Sequence, residues 1–270
     1  MTYDAKETSL RGGNPVELYK ATLGTVDYLY NDSDSDIVYN SETYSPITIS
    51  RSSIDQNDEI NRSGIKVTVP RDNDLADVFR VYAPAEVVAI TIFRGHLDDG
   101  EFKTIWSGRV ISCDWSGVKA TLECESVFSS LKRPGLRRNY QAQCPHVLYG
   151  VACGLNQLTH QTTDNVSVIS GSTVSVPAAS GFADGYFNGG FLQFYTSTGL
   201  GQVRFIADHT SDVLTLVAPI PELSVSDSVN VFPGCKHTLD DCTNKFDNLV
   251  NYGGFPYVPK VNPFGGGSAF

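Results

Sequence analysis

The sequence predicts a mainly β protein: two β-barrel or β-sandwich-like domains, a few short helices, and a C-terminal segment built around cysteine. Three observations predict it. Valine, threonine and tyrosine recur in short runs with partial apolar–polar alternation, the signature of half-buried strands. Gly, Asn, Asp and Pro interrupt those runs at short intervals, as turns require. Stretches with a helical period are few.

In order, the strand runs are VELYKATLG, DIVYN, GIKVTVP, EVVAITIFRG, KTIWSGRVISCDW and VKATLECESV. A second series follows: SVISGSTVSVP, GGFLQFYT, GQVRFIAD, DVLTLVAP and SVNVFPG. DNDLADVFRVYAP (72–84) can open a short helix on Asp72 or Asn73 and must stop it before Pro84, and SVFSSLKRP can add a turn. SLKRPGLRRNY (130–140) breaks the pattern with Pro, Gly, Lys132, Arg133, Arg137 and Arg138, and reads as a solvated linker. The expected domains are therefore 1–135, 136–233 and a closing segment, 234–270. In that segment Thr238 is a good N-cap with Asp241 three residues on, and Cys242, Phe246 and Leu249 would share one helix face until Gly253 and Gly254 stop it. GGGSAF reads as a flexible tail.

Composition narrows the function classes. The chain of 270 residues carries 30 acidic and 20 basic residues, a formal charge of −10, which argues against general nucleic-acid or anionic-membrane binding. No apolar run nears the ~20 residues of a bilayer span, and MTYDAKETSLRGG lacks a signal-peptide layout, so cytoplasmic synthesis without membrane insertion is expected. In that setting six cysteines favour free thiols or metal ligation over disulfides.

Cys113 and Cys124 lie inside strand runs and read as small buried hydrophobes. The other four form two local pairs, Cys144/Cys153 in QCPHVLYGVACG and Cys235/Cys242 in GCKHTLDDC, which bracket the second strand series. Their spacing leaves zinc, an iron–sulfur cluster and two disulfides open. His146 and His237 sit beside these cysteines and read as supporting or surface residues.

Nothing commits the chain to catalysis: HExxH, GxSxG and P-loop patterns are absent from the sequence. DSDSD (32–36) fails as a calcium loop, with Ile37 where glycine and Thr43 where glutamate would stand, and reads as a hairpin tip. Asp98 and Asp99 read as a turn, Asp240 and Asp241 as a helix first turn, and His96, His160 and His209 as structural.

The order of these features resembles a known family. Cys-Pro-His with Cys-Gly nine residues on, then GGFLQF, GQVRFI, LTLVAPIPELSVSDSVNVFPGC, KFDN and NYGGFPYVPKVNPF are similar to the tail-tip hub proteins of long-tailed non-contractile phages and gene transfer agents, a family that includes tail-tip protein L of phage lambda. ETYSPITISRSSIDQN, VTVPRDN and IFRGHLDDGEFKTIWSGRV extend the likeness over most of the chain. NYGGF stands where the family has an Asn-Phe-Gly-Gly-Phe, keeping an aromatic at Tyr252. The resemblance implies a non-enzymatic virion protein, assembled in the host cytoplasm as a homotrimer. It would sit between the distal tail protein ring and a central receptor-binding tip protein, contact the tape measure protein, and line the tube through which DNA passes in transit. It also implies an iron–sulfur cluster, of the four-iron four-sulfur type, on Cys144, Cys153, Cys235 and Cys242, which makes 234–270 a metal-cluster segment covered by Phe246, Leu249, Phe255 and Tyr252. The alternative is a β-sandwich receptor- or glycan-binding module with a structural zinc, using GYFNGGFLQFY as its ligand face; a redox enzyme is the third reading.

Overall fold

A computed structural model describes residues 3–9, 12–54, 64–97, 100–132, 135, 138–197 and 199–259. The turn expected at Asp98–Asp99, the tail GGGSAF, and Arg133 and Arg137 of the basic segment lie outside the described residues. Two compact units emerge, one of residues 1–133 with 197–200 and one of 134–196 with 201–270. No helix among the described residues is long and apolar enough to cross a membrane.

The first unit carries a nine-stranded sheet: β1 (Pro15–Leu23), β2 (Val26–Asn31), β3 (Ile37–Tyr39), β4 (Glu42–Pro46), β5 (Ser50–Arg51), β6 (Ile65–Pro70), β7 (Ala89–His96), β8 (Phe102–Ser116) and β9 (Lys119–Ser126). Their order is β3-β4-β2-β1-β7-β8-β9-β6-β5, antiparallel except for β2 against β4. Alternation is clearest in β6 and β9, whose inward Ile65, Val67, Val69, Ala120, Leu122 and Cys124 join Leu18, Ile90 and Ile92 in being buried. DSDSD joins β2 to β3, which do not pair with each other, so it is a connecting loop and not the expected hairpin tip; Asn31 knits it, accepting from the Ser33 amide (2.9 Å) and donating to Tyr44 O (2.6 Å). Buried Glu17 takes a two-pronged ion pair from Arg51 (2.6 and 2.9 Å) and the Tyr19 hydroxyl (2.8 Å), so its charge is fully partnered. The helix expected over 72–84 is confined to Asp74–Asp77; Asn73 caps it by accepting from the Leu75 amide at 3.1 Å.

Cys124 is buried and Cys113 packs against the same core. Burial, reinforced by neighbouring Asp114, pushes the Cys113 thiol up to about 11; burial, with Glu123, pushes Cys124 up to about 12. Because the thiolate is the reactive form, both should resist iodoacetamide at pH 8 in the native protein and react on unfolding. Mass mapping of labelled peptides checks this; rapid native labelling of Cys124 would contradict it.

The second unit carries β10 (Thr162–Asn165), β11 (Val168–Ser170), β12 (Thr173–Ser175), β13 (Phe191–Tyr195), β14 (Gly201–Thr210), β15 (Val213–Leu216) and β16 (Ser228–Phe232). All pairs are antiparallel, in the order β10-β16-β13-β14-β15-β12-β11. Neither sheet closes in strand order: β3 and β5 end one, β10 and β11 the other. The second core gathers Val174, Val176, Phe187, Leu192, Ile206, Leu214 and Val231. Phe187, Leu192 and Phe194 of GYFNGGFLQFY are thus core, with Tyr195 its one exposed large aromatic among the described residues.

Candidate metal centre

β16 delivers the third cysteine. After Phe232 the chain passes Pro233 and Gly234 into Cys235, and Gly234 lies backbone to backbone against β13's approach. A Cβ on Gly234 would sit 2.2 Å from Asn188 O and 2.4 Å from Gly190 N, and one on Gly190 would sit 2.0 Å from Phe232 O. Only glycine permits this contact, which sets where Cys235 begins.

Cys242 is placed by a short helical turn. Thr238 Oγ1 accepts from the Asp241 amide (3.2 Å), as an N-cap should, while the Asp241 carboxylate accepts from the Lys236 amide (2.7 Å) rather than closing a capping box. The turn continues as a π-helix over Asp241–Lys245 and stops at Phe246, with Asp247 at φ 47°. This corrects the expected longer helix: Phe246 is buried, but Leu249 lies beyond the stop and is 52% exposed. Phe255, expected as cover, is 44% exposed and stacks on Tyr140 (3.9 Å between centroids).

The first pair rides on a loop. Gly150 turns it, with Cys153 and Gly154 donating back to Gly150 O at 3.0 and 2.9 Å, and Gly154 takes φ +71°. Cys144 joins this loop to the second pair through its amide, which donates to His237 O at 2.9 Å.

Cys144, Cys153, Cys235 and Cys242 line one small cavity that is partly open to solvent. Its cover is apolar: Leu148, Leu155 and Phe246. Three sulfurs face N–H donors: Cys235 Sγ the His237 amide (3.3 Å), Cys144 Sγ the Gly253 amide (3.4 Å), and Cys153 Sγ the Asn248 side-chain amide (3.8 Å). The Cys242 thiol donates to Asn248 O at 3.2 Å. Burial pushes the Cys235 and Cys242 thiols up, and the other thiols of the group raise them further. A bound cation reverses that preference by taking the thiolate. All six cysteines are free thiols. Among the described residues no group of three or more His, Cys, Asp or Glu is arranged to hold a metal ion.

The strap 251–259 closes the loop side. Tyr252 donates to Ala142 O (2.6 Å) and the Phe255 amide to Gln141 O (2.8 Å). A Cβ on Gly254 would meet Ala142 O at 2.5 Å, and one on Gly253 would meet His146 Nε2 at 2.4 Å, which explains the paired glycines. His146 Nδ1 donates to Asn251 O (3.1 Å) and Arg138 donates to its Nε2, so both ring nitrogens are engaged and His146 supports the loop. Asn248, the last residue of KFDN, ties the two cysteine pairs together. Its side chain donates to Cys153 O (2.7 Å) and accepts from Asn251 (2.7 Å), and its carbonyl faces Cys242. Leu148 and Leu155 were not anticipated; the signal was their position one loop turn from each cysteine.

Comparison with known proteins defines the class as structural proteins of phage tails. Residues 18–156 match the family model described as baseplate hub protein, N-terminal attachment domain, and residues 185–262 match that of a phage conserved hypothetical protein, BR0599. The chain belongs to the baseplate hub attachment-domain family. An uncharacterized protein of Xylella fastidiosa (strain 9a5c) is 26% identical over 182 residues, 62% of this chain and 38% of that protein, so the chain spans well under half of this relative's length. A chain of the solved virion of a native gene transfer agent particle has the same fold, with a TM-score of 0.79 at 18% identity over 99% of both chains.

Proposed function

We propose that this chain is the hub subunit of a phage-type tail tip, and that Cys144, Cys153, Cys235 and Cys242 hold a four-iron four-sulfur cluster that staples the second unit. The observation that carries the cluster reading is the convergence of four free thiols on one apolar-capped cavity, three with N–H donors. Hydrogen bonds to sulfur and apolar cover are what a thiolate-bound cluster needs. When bound, the cluster supplies cross-linking between the loop 144–153 and the segment 235–242; the second unit's modest strands gain most from such a staple.

Family membership carries the hub reading. In it the subunit forms a homotrimer that joins the distal tail ring to the central receptor-binding tip, contacts the tape measure protein, and lines the ejection tube. A net charge of −10 suits a wall that must let phosphate slide past. The role is non-enzymatic. Deleting the gene should leave particles whose tails lack a normal tip by negative-stain microscopy, with the protein recovered in intact purified particles. Normal tips in the deletion would overturn the reading.

A further inference from the structure

Lys245 presents a puzzle the cluster reading does not itself resolve. It is a partly buried cation at the end of the π-helical turn that carries Cys242. Its ammonium donates to Tyr186 O (2.5 Å) and Gly234 O (2.7 Å), and lies over the rings of Tyr186 (4.4 Å) and Phe246 (5.4 Å). Among the described residues no carboxylate lies within ion-pair distance of it. Neutral carbonyls and ring faces offset part of the cost of burying an ammonium, but a buried charge ordinarily has a counter-charge. Burial lowers its pKa, opposed by Asp241 and then by Cys235. The Asp241 carboxylate accepts from the Lys236 amide and keeps its charge, but lies beyond ion-pair distance of Lys245.

Beside Asp241, the other negative charge on that side is the sulfur group, through Cys235. Gly234, whose carbonyl takes one Lys245 proton, precedes Cys235, and Phe246, whose ring takes the cation, lines the cysteine cavity. Four thiolates leave a net negative centre with a four-iron cluster or with zinc. We infer that Lys245 is the fixed counter-charge of the four-thiolate centre, held in place by Gly234 and Tyr186 carbonyls, and that it makes a bound cluster easier to reduce. The inference rests on the cluster reading above. Lys245 is a positioning and charge-balancing residue; it is not a ligand.

The test uses the full chain, reconstituted without oxygen as wild type, Lys245→Met and Lys245→Arg, with iron and sulfide assayed before a redox titration followed by electron paramagnetic resonance. Lys245→Met should hold iron but, at the wild-type midpoint, show an about tenfold lower ratio of reduced to oxidised cluster, a shift of ~59 mV to more negative potential for a one-electron couple. Lys245→Arg should keep the wild-type midpoint. Loss of iron from Lys245→Met with retention in Lys245→Arg also supports a charge role. An unchanged midpoint in Lys245→Met, or equal loss of iron from both variants, overturns the inference while leaving the cluster intact in wild type. Wild-type protein without iron and sulfide defeats the cluster reading itself, and the inference with it, and is told apart by that first assay.

Discussion

Replacing Cys235 by serine should empty the centre and loosen the second unit while leaving the first intact. Cys235 is the proposed ligand that follows most directly from β16, so in this reading its loss breaks the link between the sheet and both cysteine loops. Bound structural metal can contribute ~10 kcal/mol in small domains, comparable to the whole stability of a domain. Hydrogen exchange resolves the effect by region. Amides of β13, β14 and β16 should lose protection in Cys235→Ser, and those of β6, β8 and β9 should keep it. Cys113→Ser is the control: its sulfur belongs to the core of the first unit, so metal content should not change. Full metal retention in Cys235→Ser would show that the ligand set is wrong.

Gly234→Ala should be nearly as damaging, although it adds one methyl group and removes no ligand. The new Cβ would fall 2.2 Å from Asn188 O and 2.4 Å from Gly190 N, both backbone atoms that cannot swing aside. Relief requires separating β16 from the approach to β13, which also moves Cys235. A loss of ~3 kcal/mol or more is expected, in the range of severe overpacking. Gly171→Ala is the matched control: its φ is +60° with no heavy atom within 4 Å of the added Cβ, so it should cost only ~1 kcal/mol from backbone strain. Urea midpoints decide the matter. Equal shifts for the two variants would refute the role given to Gly234.

How much of this was legible in the sequence differs from feature to feature. Strand alternation exposed β6 and β9 because each has one face on the core, filled by β-branched Ile65, Val67 and Val69 in β6 and by Ala120, Leu122 and Cys124 in β9. The interior role of Cys124 followed from the same alternation. The four site cysteines stood out because they fall outside the strands, and the structure brings all four to one cavity. The helix after Thr238 was overextended because the i, i+4, i+7 pattern of Cys242, Phe246 and Leu249 mimics an amphipathic face. A periodic pattern cannot report that Asp247 adopts positive φ and that the turn widens to a π-helix. The helix over 72–84 shrank to one turn for a related reason: Asn73 caps it well, but nothing in Val78–Pro84 supports its continuation. Asn248 and Lys245 were invisible because their roles depend on carbonyls distant in sequence, those of Cys153, Tyr186 and Gly234.

The central claim is that these four cysteines together hold one iron–sulfur cluster. Iron, acid-labile sulfide and zinc, measured on full-length protein purified without oxygen, test it most directly. About four iron and four sulfide per chain, with broad visible absorption that Cys235→Ser abolishes, is the predicted result. Colourless protein carrying one zinc, or metal-free protein with its four cysteines paired as two disulfides, would contradict it.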